Sequence, residues 1–469
     1  MELVYCAIYV SLYVFYSIWS VQSLSFARLY PRIKLETSFA DAGEPLILTP
    51  FLNNGSISTA QKLSSVYLTE EFGIESHAGF FTVNEQYGSH HYFWYFPPIL
   101  ASKDAPVLLW LQGGPGATSL FGLFTEIGPI IAEENKFSVR EINWALKFHL
   151  IFIDNPVGTG FSFTSDSKGY CRDQDCVAHD LYNSLTQFFQ LFPQLKNNDF
   201  YIAGESYAGK YIPALATKIH EENKNSKKIN LIGMAMGNAF CDPINQLEYG
   251  KYLYQIGLLD YKQKKIFETK EKEIKAQIKK MNWGMADVLL DYLMDGQFTN
   301  YSLFKTYTGF NYYYNYLQSE MNMTDIIIFA NLLSKDHIRH AVHVGNQPFG
   351  TGDEVEINLA YDILKSVAPL ISKLLSHYKI LFYNGQLDIS VAYPLTENFL
   401  KKLNFSSSEQ YLSAQRHIWR VSGEIAGYVK SAGNLTEILI RNSGHMVPHD
   451  QPKWAYDMIT RFVQKKKFW

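Results

Sequence analysis

The sequence predicts an α/β fold whose strands are covered by helices, and three observations carry that expectation. Short β-rich apolar runs recur along the chain, and amphipathic stretches with three- and four-residue spacing fall between them. One run, Leu150–Ile153, is apolar throughout, as a strand buried on both faces should be. The chain has 469 residues, about three times the ~150-residue prior for one domain, although α/β enzymes often hold one large core. Hydrophobic residues make up 47% and charged residues 19%, a globular composition that argues against disorder. Aromatics reach 15%, so a core or a substrate cleft is rich in rings. The 42 basic and 45 acidic residues leave a net charge of −3, which supplies no phosphate-binding stripe and disfavours a nucleic-acid partner.

At the N-terminus, Leu3–Trp19 is almost wholly apolar or aromatic and is followed by small and polar residues. Its length is that of a signal-peptide apolar region, so residues 1–22 are expected to be a leader with cleavage near Ser20–Ser23, not a stable membrane anchor. Glu2 stands where a basic residue usually precedes such a run. Asn-x-Ser/Thr sequons at Asn54, Asn300, Asn322, Asn404 and Asn434 agree with secretory passage, to the outside or to lysosomes and endosomes. Cys6 would leave with the leader. Of Cys171, Cys176 and Cys241, at most two can pair within the chain, and spacing allows Cys171 and Cys176 to close one loop without choosing that pairing.

Strands are expected at His90–Phe96, Val107–Gln112, His149–Asp154, Phe200–Gly204, Leu231–Gly237, Lys379–Asn384 and Leu435–Ile440. Between them, Val177–Phe192 carries Leu181, Leu185, Phe188 and Phe192 on one helical face. From about Cys241 to Lys335 strand signals vanish. A Lys- and Glu-rich helix with a solvated face gives way there to a Tyr/Asn patch at Asn311–Tyr316. The expected organisation is a leader (1–22), one discontinuous sheet domain (23–240 and 336–469), and a helical cap insertion (241–335).

The chemistry begins at Phe200–Gly209, FYIAGESYAG, where a strand enters Gly204-x-Ser206-x-Ala208 and a helix-like stretch follows. Small residues two before and two after Ser206 permit the tight strand-to-helix turn that lifts a serine hydroxyl clear of a sheet. A serine nucleophile needs a base, and the base needs an orienting acid. Asp388 lies just past the strand that ends in Asn384, and His445 lies past Ile438–Ile440. The order Ser206, Asp388, His445 is the one expected of an α/β hydrolase. Upstream, LWLQGGPG places glycines after a strand, where the N–H groups of Gly114 and Tyr207 are the natural pair for an oxyanion hole.

The segments LLWLQGGPG, FIDNPVGTGFSF, YIAGESYAGKYIP, YNGQLDI and GHMVPHDQP stand in the order and spacing of the serine carboxypeptidases, and cover most of the chain after residue 75. The wording IFIDNPVGTGFSFT, NNDFYIAGESYAGKYIPA, YQIGLLD and HVGNQPF is most similar to the vitellogenic carboxypeptidase-like branch. The resemblance implies an α/β-hydrolase fold, with a mixed, mostly parallel sheet and a helical insertion. It also implies release of C-terminal residues from peptides under acidic conditions. It maps nucleophile, acid and base onto Ser206, Asp388 and His445, and the oxyanion donors onto Gly114 and Tyr207. It further maps the binding of the substrate's terminal carboxylate onto Gln112, Gly113, Glu126 and Glu205. Most of the family has Asn where this chain has Gln112, which keeps the amide but moves it by one methylene. Crowded carboxyls hold shared protons, so the two glutamates are expected to act as donors at acidic pH and to repel the terminus as pH rises.

Two other readings share the same triad. In one, an alcohol replaces water and the chain is an acyltransferase; in the other, the fold is a non-catalytic binding protein. Met446, beside the expected base, is a candidate pocket residue by adjacency alone. The histidines of HIRHAVH, His337, His340 and His343, step about 60° around a helix at each three-residue interval and do not converge on a metal. No nucleotide loop is present, so neither a metal nor a cofactor is expected.

Overall fold

The computed structural model describes residues 33–35, 41–100, 102–226, 228–296 and 299–469; the expected leader lies outside them. Ten strands make the main sheet: β1 (His77–Asn84), β2 (Ser89–Phe96), β3 (Val107–Leu111), β4 (His149–Ile153), β5 (Phe200–Glu205), β6 (Leu231–Gly237), β7 (Lys379–Gly385), β8 (His417–Val421), β9 (Glu424–Ala432) and β10 (Leu435–Ile440). Their spatial order is β1-β2-β4-β3-β5-β6-β7-β10-β9-β8, and a short strand at Phe163–Thr164 adds to β2. The six central strands from β4 to β10 run parallel, and each flank is an antiparallel hairpin. All seven expected strands are present, and the fold is an α/β hydrolase with a mixed, mostly parallel sheet.

The central strands form because their apolar runs can be buried on both faces: every residue of β3, β4 and β5 is buried. Helices α1 (Gln174–Leu191) and α2 (Ala208–Asn225) cover one face, α1 with the expected stripe of Leu181, Leu185 and Phe188 turned inward. The strands that sequence periodicity did not reveal are β1, β8 and β9. β8 alternates buried and exposed residues, and β9 is interrupted by Gly427, where an added Cβ would stand 2.0 Å from the Leu439 carbonyl oxygen.

Between β6 and β7 the described chain contains helices at Tyr249–Gln255, Tyr261–Lys279, Trp283–Leu293, Leu303–Thr308 and Thr324–Leu333. The Lys-rich helix is amphipathic. Phe267, Ile274 and Ile278 are buried while Lys262, Lys265, Lys272 and Lys279 face water, and an Asp260–Gln263 capping box starts it. Among the described residues, no helix is long and apolar enough to cross a membrane.

Candidate active site

Parallel strands that end at one edge bring sequence-distant residues together. In the register, Gly237 at the end of β6 lies between Glu205 of β5 and Tyr383 of β7, and Gly385 of β7 lies beside Ile440 of β10. The residues just past these ends therefore share one rim: Ser206, Asn238, Asp388 and His445.

Ser206 sits at φ 60°, the left-handed region, at the turn from β5 into α2. Such a conformation costs a non-glycine residue on the order of 1–3 kcal/mol and persists only where the surroundings impose it. Here the Ser206 N–H donates to the Gly237 carbonyl (2.8 Å) and its own carbonyl accepts from Phe240 N–H (3.0 Å). A Cβ on Gly204 would stand 2.2 Å from the Leu111 carbonyl oxygen, so this close approach of β5 to β3 requires glycine. The Ser206 side chain is fully buried.

Asp388 and His445 are both fully buried, and His445 Nδ1 lies 3.0 Å from Asp388 Oδ2. That carboxylate also accepts from Asn238 Nδ2 (2.6 Å), Ser390 N–H (2.8 Å) and Val391 N–H (3.1 Å). Burial alone would lower the affinity of the His445 imidazole for a proton. The charge and hydrogen bond of Asp388, then Glu205 and Asp450, outweigh it and raise the pKa above the usual value. A bond from Nδ1 to the carboxylate makes Nε2 the basic nitrogen.

The Tyr/Asn patch of the helical segment lies over this pair. Tyr314 stacks on the His445 ring (centroids 4.6 Å apart, planes at 28°), and its carbonyl accepts the His445 N–H at 2.7 Å. The Tyr313 carbonyl accepts Ile389 and Ser390 N–H groups, and Tyr316 N–H donates to Leu387. One short stretch thus holds the loops of both Asp388 and His445.

The glycine loop follows β3. A Cβ on Gly113 would come within 2.7 Å of both Ser206 Cβ and the Tyr207 nitrogen, so the loop packs directly on the serine turn. Gly114 and Gly116 have φ of 106° and 87°. Asp154, at the end of β4, anchors this region by accepting from Thr118 Oγ1 (2.6 Å), Ser119 N–H (2.9 Å) and Phe161 N–H (2.8 Å). Burial pushes its pKa up to about 6, against those hydrogen bonds.

Gln112, Glu126 and Glu205 form one buried network. Trp110 Nε1 donates to Gln112 Oε1 (2.7 Å), which turns the amide nitrogen toward the glutamates, 2.7 Å from Glu205 Oε1 and 3.3 Å from Glu126 Oε1. The longer Gln side chain therefore reaches both carboxyls. Glu126 is carried on a π-helical turn, Leu123–Ile127, of the kind often found at functional sites, and is buried instead of lying on a helix surface. Burial raises its pKa to about 7, against hydrogen bonds from Glu205 and Gln112 and the charge of Arg140.

Sequence reasoning did not single out Asn238, Asp154, Trp110 or Tyr314, whose roles depend on partners distant in the chain. Met446, the adjacency candidate, is buried. His337 and His340 fall in a short helix, Asp336–Ala341, whereas His343 has a left-handed φ of 64° and contacts the Ser65 carbonyl through Nε2 at 2.9 Å. Among the described residues, the grouping with metal-ligand spacing is Cys171, Cys176 and Asp180, and its two sulfurs are joined as a disulfide; Cys241 is free and buried. Asn54, Asn300, Asn322 and Asn404 are exposed, while Asn434 is half-buried with its amide on the Leu375 carbonyl at 2.9 Å.

Comparison with known proteins gives one consistent result. The profile of the serine carboxypeptidase family matches residues 67–465. A venom serine carboxypeptidase of Apis mellifera is 49% identical, over 95% of this chain and 97% of its own. A vitellogenic carboxypeptidase of Aedes aegypti is 47% identical over 91% of each chain, and a probable serine carboxypeptidase of Homo sapiens 45% over 94% of each. Among solved structures, a prohormone-processing carboxypeptidase from Saccharomyces cerevisiae superposes with a TM-score of 0.71 at 23% identity. It covers 86% of this chain and 96% of its own, a likeness of fold.

Proposed function

The chain belongs to the serine carboxypeptidase family and is a hydrolase of that class, and from this premise we propose that it removes single residues from peptide C-termini at acidic pH through Ser206, Asp388 and His445. In this reading His445 Nε2 takes the Ser206 proton as Oγ attacks the last peptide carbonyl. The N–H groups of Gly114 and Tyr207 stabilise the oxyanion, and His445 returns the proton to the departing amine. Water then repeats the sequence on the acyl-enzyme. Asp388 holds the imidazole in the required tautomer and is itself held by Asn238.

The observation that carries the choice of a peptide terminus as substrate is the buried Gln112–Glu126–Glu205 network immediately before the serine turn. Two anionic glutamates would repel a carboxylate. A pair that shares a proton, one carboxyl hydrogen-bonded to the other, can donate to it, with Gln112 and the Gly113 N–H completing the clamp. Incubation with an N-blocked dipeptide at pH ~5, chosen from the raised carboxyl, should release the free C-terminal amino acid, and Ser206→Ala should abolish release. Absence of release by the native protein would refute the proposal.

We further read residues 1–22 as a signal peptide, 23–240 and 336–469 as one hydrolase domain, and 241–335 as its cap. The destination is the secretory pathway, outside the cell or in lysosomes and endosomes, with glycans on the exposed sequons. The sequon count and the apolar N-terminal run support this.

A further inference from the structure

Lys210 is a fully buried cation in the first turn of α2, four residues after Ser206. Taking an ammonium out of water costs several kcal/mol unless acceptors replace the lost hydration. The acceptors come from one place in the chain. Nζ donates to the Ile363 carbonyl (3.1 Å), to Asp362 Oδ2 (3.2 Å) and to the Asp362 main-chain carbonyl. The same carboxylate oxygen accepts from Gln174 Nε2 (2.8 Å), which leads back to the turn closed by the Cys171–Cys176 disulfide. Nζ also stands 5.3 Å from the centre of the Tyr207 ring.

What Lys210 grips is the end of a stretch that backs the glycine loop. A Cβ on Gly116 would meet the Gly352 carbonyl at 2.8 Å and Val355 Cβ at 3.2 Å, and Gly350 pairs with Gly160. Residues 350–364 therefore run from the back of the Gly113–Gly116 loop to the Lys210 ammonium beside the Tyr207 ring. The geometry points to Lys210 as a positioning residue for the oxyanion site: through Asp362 and Ile363 it holds this stretch against the two elements that carry the Gly114 and Tyr207 N–H groups. The inference rests on the triad and oxyanion assignment proposed above. Burial lowers the Lys210 pKa to about 8, against the attraction of Asp362, so the ammonium keeps its charge at acidic and neutral pH. A bridge that only stabilised the fold could be replaced by apolar packing with little loss. A bridge that sets the geometry of an oxyanion site could not.

The full chain is compared with Lys210→Met and with Lys210→Met/Asp362→Asn, which leaves no charge buried alone. Wild-type protein is first reacted with a phosphonofluoridate, since failure to label Ser206 would overturn the underlying triad reading itself. With a blocked dipeptide, both variants should lose kcat on the order of 10- to 100-fold with KM little changed, the scale of a modest misplacement in an active site. A peptide-aldehyde transition-state analogue should lose affinity in the same ratio as kcat/KM, while product affinity stays constant. The double variant should regain thermal stability and keep the kcat defect. Wild-type kcat in either variant, or recovery of kcat together with stability in the double variant, would overturn the positioning role while leaving the triad reading intact.

Discussion

The carboxyl pair at Glu126 and Glu205 makes a sharp prediction about pH. Burial holds the Glu126 pKa at about 7, so roughly nine in ten Glu126 carboxyls are protonated at pH 6 and roughly one in ten at pH 8. In the proposed clamp the protonated form donates to a peptide's terminal carboxylate and the ionised form repels it. Peptide KM should therefore be flat below pH 6 and rise about tenfold between pH 6 and 8, equivalent to about 1.4 kcal/mol of binding. In Glu126→Gln the donor no longer titrates, and KM should stay flat across that range. C-terminal amides present no carboxylate and should show no rise with either protein. The assay is steady-state release of the C-terminal residue from matched acid and amide peptides at half-unit pH steps. KM is read apart from kcat, because the raised pKa of His445 places loss of the base on the acid side of kcat. A peptide KM independent of pH in the native enzyme, or an equal rise for the amides, would refute the shared-proton account.

Three further predictions test other parts of the structure. Asn238→Ala removes the 2.6 Å hydrogen bond to Asp388 and should lower kcat about 10- to 100-fold with little change in KM, from ~1.5–3 kcal/mol for a bond to a charged group; unchanged kcat would remove Asn238 from the site. Burial raises the buried Glu271 carboxyl to about 7, against the Gly250 N–H, the charge of Lys275 opposing and those of Glu248 and Glu268 reinforcing the rise. Its folded pKa exceeds its unfolded value, so its stabilisation is full below about pH 4.5 and is lost as pH rises through about 7. Glu271→Gln should therefore gain about 2 kcal/mol relative to wild type between pH 5 and 8 in urea unfolding, and a difference independent of pH would contradict this. In a secretory host, peptide mapping before and after deglycosylation should find glycans at Asn54, Asn300, Asn322 and Asn404. Asn434, whose amide is engaged by the Leu375 carbonyl, should be unmodified.

Legibility from sequence followed the range of the signal. The turn at Ser206 was readable because its requirements are local: a strand, small residues at 204 and 208, then a helix. Asp388 and His445 were readable because each follows an apolar strand in an order that few folds share. The parallel centre declared itself by uninterrupted apolar runs, whereas the half-solvated strand β8 and the glycine-interrupted β9 did not. Glu126 was accessible only through family resemblance, because its burial depends on Gln112, Arg140 and the π-helical turn. Asn238, Tyr314 and the Lys210–Asp362 pair carried no local signal, since their meaning comes from partners about 130 to 150 residues away.

The Tyr313–Tyr316 stretch has a wider consequence. Its main chain accepts from the loops of both Asp388 and His445 and donates to that of Asp388. The helical segment is therefore a keystone and not a door: swinging it outward would pull acid and base apart. A shortened chain lacking that stretch would keep the serine turn yet lose the main-chain bonds that hold the Asp388 and His445 loops in place.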